Sequence, residues 1–121
     1  MKRNKEGRLG ERLARLRLVL SGYRIVEVNY RTRYGEIDIV ARDGDELVFV
    51  EVKTKRSKEY GPPEEEVDGR KQQKLTRMAL MYLAEKRGGH DAACRFDVVT
   101  VDLSGMLPRI RVIAGAFEAQ E

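Results

Sequence analysis

A chain of 121 residues has room for one hydrophobic core, so a single domain covering 1–121 is expected. Charged residues form 36% of it, and 24 Lys and Arg against 20 Asp and Glu leave a net charge of +4, which permits a polyanionic partner without demanding one. The single cysteine, Cys94, excludes an intramolecular disulfide, Cys/His zinc spacing is absent, and no apolar run approaches the ~18 residues of a membrane span, so a cytoplasmic protein without membrane contact is expected.

The first element is a helix over residues 5–20. Leu9, Leu13, Leu16 and Leu20 form one stripe, Glu11, Ala14 and Leu18 form another, and Gly22 ends it. Two stripes suit packing on two surfaces, the sheet and either a further element or a second subunit, so a homodimer through this helix is an expectation. Glu11 is either a first-turn carboxylate favoured by the helix dipole and Arg15, or a residue aimed at a site. Residues 23–31 read as a strand that delivers Arg31 and Arg33 towards the next segment, where they clamp phosphates or neutralise local carboxylates.

Residues 35–53, Gly-Glu-Ile-Asp-Ile-Val-Ala-Arg-Asp-Gly-Asp-Glu-Leu-Val-Phe-Val-Glu-Val-Lys, read as a hairpin. Strict alternation puts Ile37, Ile39 and Ala41 on one side of the first strand, and Val48, Val50 and Val52 on one side of the second. The other face then carries Val40, Leu47 and Phe49 near the turn, and Asp38, Glu51, Lys53 and Glu36 towards the open end. A turn at Gly44-Asp45 pairs Asp38 with Glu51, and one at Asp43-Gly44 pairs Glu36 with Glu51; the faces are the same in both. Apolar residues on both faces imply a sheet covered on both sides, with the charges at its rim. Like charges on opposed residues are destabilising unless a cation joins them. A Mg²⁺ ion, or Mn²⁺ in its place, held by Asp38, Glu51 and the Val52 carbonyl answers that need, with Lys53 beside it to position water or stabilise charge on a phosphate. The plainer reading is a cross-strand ion pair between Glu36 and Lys53.

Residues 54–63 are basic and turn-rich, a loop placing Lys55 and Arg56 beside a bound backbone and Tyr60 against an unpaired base, or a solvated connection. A second helix starts at residue 65 or 67 and runs to 86, burying Leu75, Met78, Ala79, Tyr82 and Leu83. Lys71 snorkels over the core edge or points at the site. Arg70, Gln73, Lys74 and Arg77 form an exposed arc with secondary nucleic-acid contact open to it, and Gln72 flanks the buried stripe. His90 lies in a Gly-rich turn, as a surface residue. Residues 95–103 form a core strand in which Asp97 reads as a satisfied edge carboxylate, and 110–113 form a last short strand.

Gly35-Glu36-Ile37-Asp38 followed by Phe49-Val50-Glu51-Val52-Lys53-Thr54 resembles the PD-(D/E)xK signature of restriction-endonuclease-like nucleases, although no Pro precedes Asp38. Together with Gly10-Glu11, Ala14, Gly22-Tyr23, Asn29-Tyr30-Arg31, Pro63-Glu64, Lys71, Leu75 and Arg95-Phe96-Asp97-Val98-Val99, these segments resemble the bacterial YraN family over almost the whole chain, and the chain is also similar to Holliday-junction resolvases and RecB-like nucleases. The resemblance implies an α/β fold, a mixed sheet flanked by helices in the order α-β-β-β-α-β-β. It further implies Mg²⁺-dependent hydrolysis of DNA, in branched or single-stranded repair and recombination structures. Asp38 and Glu51 would hold the metal, Glu11 would complete its coordination, Lys53 would position water, and Glu36 would stand behind them. Arg31, Arg33, Lys55, Arg56 and Lys71 would contact the nucleic acid. The alternative is a non-catalytic nucleic-acid-binding or partner-binding module on the same fold.

Overall fold

The computed structural model describes residues 5–56, 67–87 and 93–119. They form an α/β fold: α1 (Lys5–Leu20), β1 (Arg24–Thr32), β2 (Gly35–Asp43), β3 (Glu46–Lys55), α2 (Gly69–Tyr82) with a π-helical turn Leu83–Arg87, β4 (Cys94–Asp102) and β5 (Arg109–Phe117). The strands lie in one sheet in chain order, β1-β2-β3-β4-β5. All neighbours are antiparallel except β3 and β4, which are parallel because α2 carries the chain back across the sheet.

Each face is covered by one helix, as the apolar runs require. On one side Ala14 and Leu18 of α1 pack on Ile39, Ala41, Val48, Val50, Val99 and Val101. On the other, Leu75, Met78, Ala79 and Tyr82 of α2 pack on Val40, Leu47, Phe49, Phe96 and Val98. The stripe of α1 that meets the sheet is the shorter one: Leu18 is buried, whereas Leu9, Leu16 and Leu20 are exposed, and Leu9 and Leu16 flank a groove against Ile25 and Val28 of β1. Small Gly10 and Ala14 let α1 approach closely where a leucine row would hold it off. The helix ends at Gly22, whose φ of +95° suits glycine.

Several boundaries differ from the sequence expectation. Helix α2 starts at Gly69 behind Asp68, whose carboxylate accepts from the Lys71 amide at 3.0 Å, and residue 65 lies outside the described residues. Strand β5 is longer than residues 110–113, since Phe117 stacks on Phe96 at 4.8 Å and draws weak strand formers Ala114 to Ala116 into the sheet. Asp97 is not at an edge. It is fully buried in β4, accepting from the Tyr23 hydroxyl and Arg95 Nε, both at 2.8 Å, and from the Gly115 amide at 3.0 Å. Arg95 also reaches Asp43 and Glu46, tying β4 to the hairpin tip.

Two outcomes are expected in urea unfolding. Leu18→Ala costs about 2–5 kcal/mol, as for a fully buried leucine, while Leu20→Ala changes stability by less than about 0.5 kcal/mol. Burial, and then the hydrogen bond to Asp97, raise the Tyr23 phenol from 10.0 to about 12. The protonated phenol therefore favours the fold; its contribution is complete below pH 10 and lost as pH climbs to about 12. Tyr23→Phe flattens that alkaline decline without removing it, because burial and Glu85 raise Tyr30 to about 12 as well.

Candidate active site at the open end of the hairpin

The hairpin turns at Gly44-Asp45, with Gly44 at φ +63°, and pairing runs from Asp43↔Glu46 to Ile39↔Val50. This is the register that brings Asp38 level with Glu51. The paired ladder stops one step short of them. There the Asp38 carboxylate accepts the Val52 amide at 2.8 Å, so a side chain binds the main chain where strand pairing ends.

At the same level β1 turns over. Asn29 has φ +54°, a left-handed conformation that asparagine tolerates better than most residues. Val28 lines the α1 groove, yet Tyr30, two residues on, packs edge-to-face on Tyr82 of α2 at 5.1 Å. Strand β2 follows: Ile39 faces α1, while Ile37, paired with Tyr30, belongs to the α2 core. The expectation that Ile37 and Ile39 share a face is thus corrected, because strict alternation fails where the two strands turn together.

The turnover moves Glu36 towards α1. Its Oε1 and that of Glu11 both accept from Asn29 Nδ2 at 3.2 Å, and Arg31 Nε binds Glu36 Oε2 at 3.1 Å. Glu11, Glu36 and Asp38 each place a carboxylate oxygen within 4.8 Å of the others. Glu36, expected behind the other acids, stands among them. Glu11 reaches them because Gly10 lies on Thr54 of β3, where a Cβ would overlap the threonine hydroxyl. A helical glycine costs ~1 kcal/mol relative to alanine, and this contact is its structural reason.

Glu51, expected to share a metal with Asp38, is not in that triad. It is buried on the α2 side, 2.7 Å from Lys71 Nζ and 3.6 Å from Lys53 Nζ. Burial works against the Lys71 charge, but Glu51, with a smaller effect from Asp38, outweighs it and raises the lysine above its ordinary value. Lys71 therefore points at the site. Asp38 belongs to the triad, accepts from β3 through the Val52 amide and acts on the Lys71 charge, so it joins the three carboxylates to the Glu-Lys-Lys cluster.

Of the residues expected to meet nucleic acid, Arg31 binds Glu36, Arg33 is exposed and donates to the Tyr34 hydroxyl, and Lys55 and Arg56 lie where β3 leaves the sheet. Gln72 donates its amide to the Val67 carbonyl at 3.0 Å, a helix-entry contact. Tyr60 and His90 lie outside the described residues. Sequence reasoning missed the part played by Asn29 and Gly10; the available signals were an asparagine inside a strand and a glycine inside a helix.

An oxygen-rich cluster of this kind suits a hard cation. Mg²⁺ holds oxygens at about 2.0–2.1 Å, so two ligands of one ion lie at most ~4.2 Å apart, and the triad needs a sub-ångström contraction from its outer limit to meet that. The donor set fits the ion in type and comes close to it in spacing.

The fold and this acidic strand end define an α/β protein with a candidate cation site. The family model described as "Uncharacterised protein family UPF0102" matches residues 10–101, and the chain belongs to that family. It is 50% identical over 119 residues to a UPF0102 protein of Moorella thermoacetica, covering 97% of this chain and 98% of the relative. A UPF0102 protein of Syntrophus aciditrophicus is 52% identical over 112 residues, covering 93% and 87%. The YraN-like resemblance read from the sequence holds at this level. No helix among the described residues is long and apolar enough to cross a membrane.

If the Gly10 contact positions Glu11, Gly10→Ala destabilises the protein by about 1–3 kcal/mol despite the gain in helix propensity. Thr54→Ala relieves part of that cost, and a double-mutant cycle by urea unfolding reads the coupling directly.

Proposed function

We propose that this protein is a metal-dependent phosphodiesterase acting on DNA, a nuclease of the restriction-endonuclease-like PD-(D/E)xK group. The observation that carries the reading is the meeting of the Glu11–Glu36–Asp38 triad with Glu51 and Lys53 where the pairing of β2 with β3 ends. Repelling carboxylates are costly to hold together, and here strand turnover, a helical glycine and an asparagine all converge to do so.

Glu11, Glu36 and Asp38 would hold Mg²⁺, or Mn²⁺ in its place, with the Val52 main chain alongside. Bound there, the ion would supply Lewis acidity and lower the pKa of a bound water. Lys53 has a largely covered side chain and offers its ammonium to charge developing on a phosphoryl oxygen, in a setting where water screens it little. Glu51 anchors both Lys53 and Lys71. Branched or single-stranded repair and recombination intermediates are the proposed substrates, in the cytoplasm.

A second reading is a non-catalytic nucleic-acid-binding or partner-binding module. It is favoured by the pairing of Glu51 with two lysines, which sets this carboxylate apart from the triad.

The test is cleavage of labelled duplex, single-stranded, flapped and four-way-junction DNA with Mg²⁺ or Mn²⁺. Native protein is expected to cut at least one substrate, with Asp38→Asn and Lys53→Met lowering the rate at least ~100-fold, as for loss of groups acting on the transition state. Failure of well-folded native protein to cut any of them, or equal cutting by all three proteins, transfers the assignment to the binding module.

A further inference from the structure

Helix α2 carries Arg70, Lys71, Lys74 and Arg77 and no acidic residue. Without those four, the chain holds 20 Lys and Arg against 20 Asp and Glu, so α2 accounts for the entire excess charge. Like charges three and four apart on a helix destabilise it by a few tenths of a kcal/mol per pair, and Arg70–Lys74, Lys71–Lys74 and Lys74–Arg77 are all such pairs. Lys71 is relieved by Glu51. Among the described residues, no carboxylate lies within ion-pair distance of Lys74 or Arg77.

These cations are held against the β1–β2 turn. The Lys74 stem passes over Gly35, where a Cβ would sit 3.7 Å from Lys74 Cδ. The guanidinium groups of Arg77 and Arg33 each lie 5.1 Å from the centre of the Tyr34 ring, and Arg33 also hydrogen-bonds the Tyr34 hydroxyl at 3.2 Å. Two arginines on one tyrosine are fixed in direction at little entropic cost on binding. Tyr34 stands in the turn that enters β2, and at the other end of the row Lys71 binds Glu51 at 2.7 Å. From Lys71 to Arg77 the helix rises ~9 Å, about the axial length of two to three phosphates of one DNA strand.

We propose that Arg33, Lys74 and Arg77, organised by Tyr34, form a binding track for the sugar-phosphate backbone of a DNA strand, which α2 leads to the Lys71–Glu51 side of the site. The proposal rests on the nucleic-acid reading of that site, though not on cleavage. The track reads charge and spacing, so it binds without regard to base sequence.

The test is fluorescence anisotropy with a labelled 20-nucleotide single strand and its duplex, in EDTA, from 50 to 200 mM KCl. The variants are Arg33→Gln/Lys74→Gln/Arg77→Gln and, as a control on the opposite face, Arg8→Gln/Arg12→Gln/Arg15→Gln. Five of the six side chains are exposed and Arg15 is half-buried, so melting curves check that both variants fold; single Arg77→Gln gives the same reading at one third of the effect. Loss of three phosphate contacts is expected to reduce the slope of log K against log salt by about 2–3, on one or both probes, while the α1 control keeps the native slope. A track variant with the native slope, a control that loses more, or a native protein that binds neither probe overturns the proposal. Native protein that binds with the expected slope yet cuts nothing in Mg²⁺ leaves the track standing and removes the nuclease; cleavage with an unchanged slope in the track variant does the reverse.

Discussion

The structure depends on one constraint: β2, β3 and β4 are covered on both faces. Ile39 to Ala41 and Leu47 to Val50 are two buried runs along the hairpin, alternating between the α1 and α2 sides. A polar side chain has no place in the middle of such a layer unless it is fully bonded. Asp97 meets that condition through Arg95, Tyr23 and Gly115. Glu36, Asp38 and Glu51 lie beyond Ile39↔Val50, the last pair of the β2–β3 ladder, and this position puts them near one another.

Gathering them is a matter of backbone geometry more than of attraction. Carboxylates at this spacing repel, so donors must be supplied at fixed positions. Asn29 serves twice, first by taking the left-handed conformation that turns β1 over, then by giving its amide hydrogens to Glu11 and Glu36. The Val52 amide, released from the ladder, fixes Asp38. A regular hairpin would have left Glu36 and Asp38 on the α2 side with Glu51. The break in regularity divides the four acids into a triad and a lysine-bound glutamate.

Much of this was legible in the sequence because period-2 alternation and helical spacing report burial directly. The element order, the hairpin, the double-sided sheet and the rim position of Asp38, Glu51 and Lys53 all follow from residue patterns, while the choice between the hairpin's two candidate turns was left to the structure. The same rule failed at Ile37, since alternation assumes a continuous strand and Asn29 interrupts one. For α1 the sequence offered two stripes without deciding which meets the sheet, and the sheet took the one with Ala14 and Leu18; closeness of approach decided, and a hydrophobicity pattern does not record it. The length of β5 was hidden for a similar reason: Ala114 to Ala116 have little strand preference of their own and are recruited by the Phe96–Phe117 contact.

The parallel pairing of β3 with β4 has a consequence for the order in which the molecule is made. Every side chain of the site, from Glu11 to Lys71, precedes β4 in the chain, and β4 supplies only a ladder along β3 and the packing beneath it. A nascent chain that has just released α2 therefore holds all of its chemistry on a sheet whose β3 edge is bare. Unpaired edges recruit other strands, so the interval between the emergence of α2 and that of β4 is when the growing polypeptide is most open to mispairing with its neighbours on a polysome.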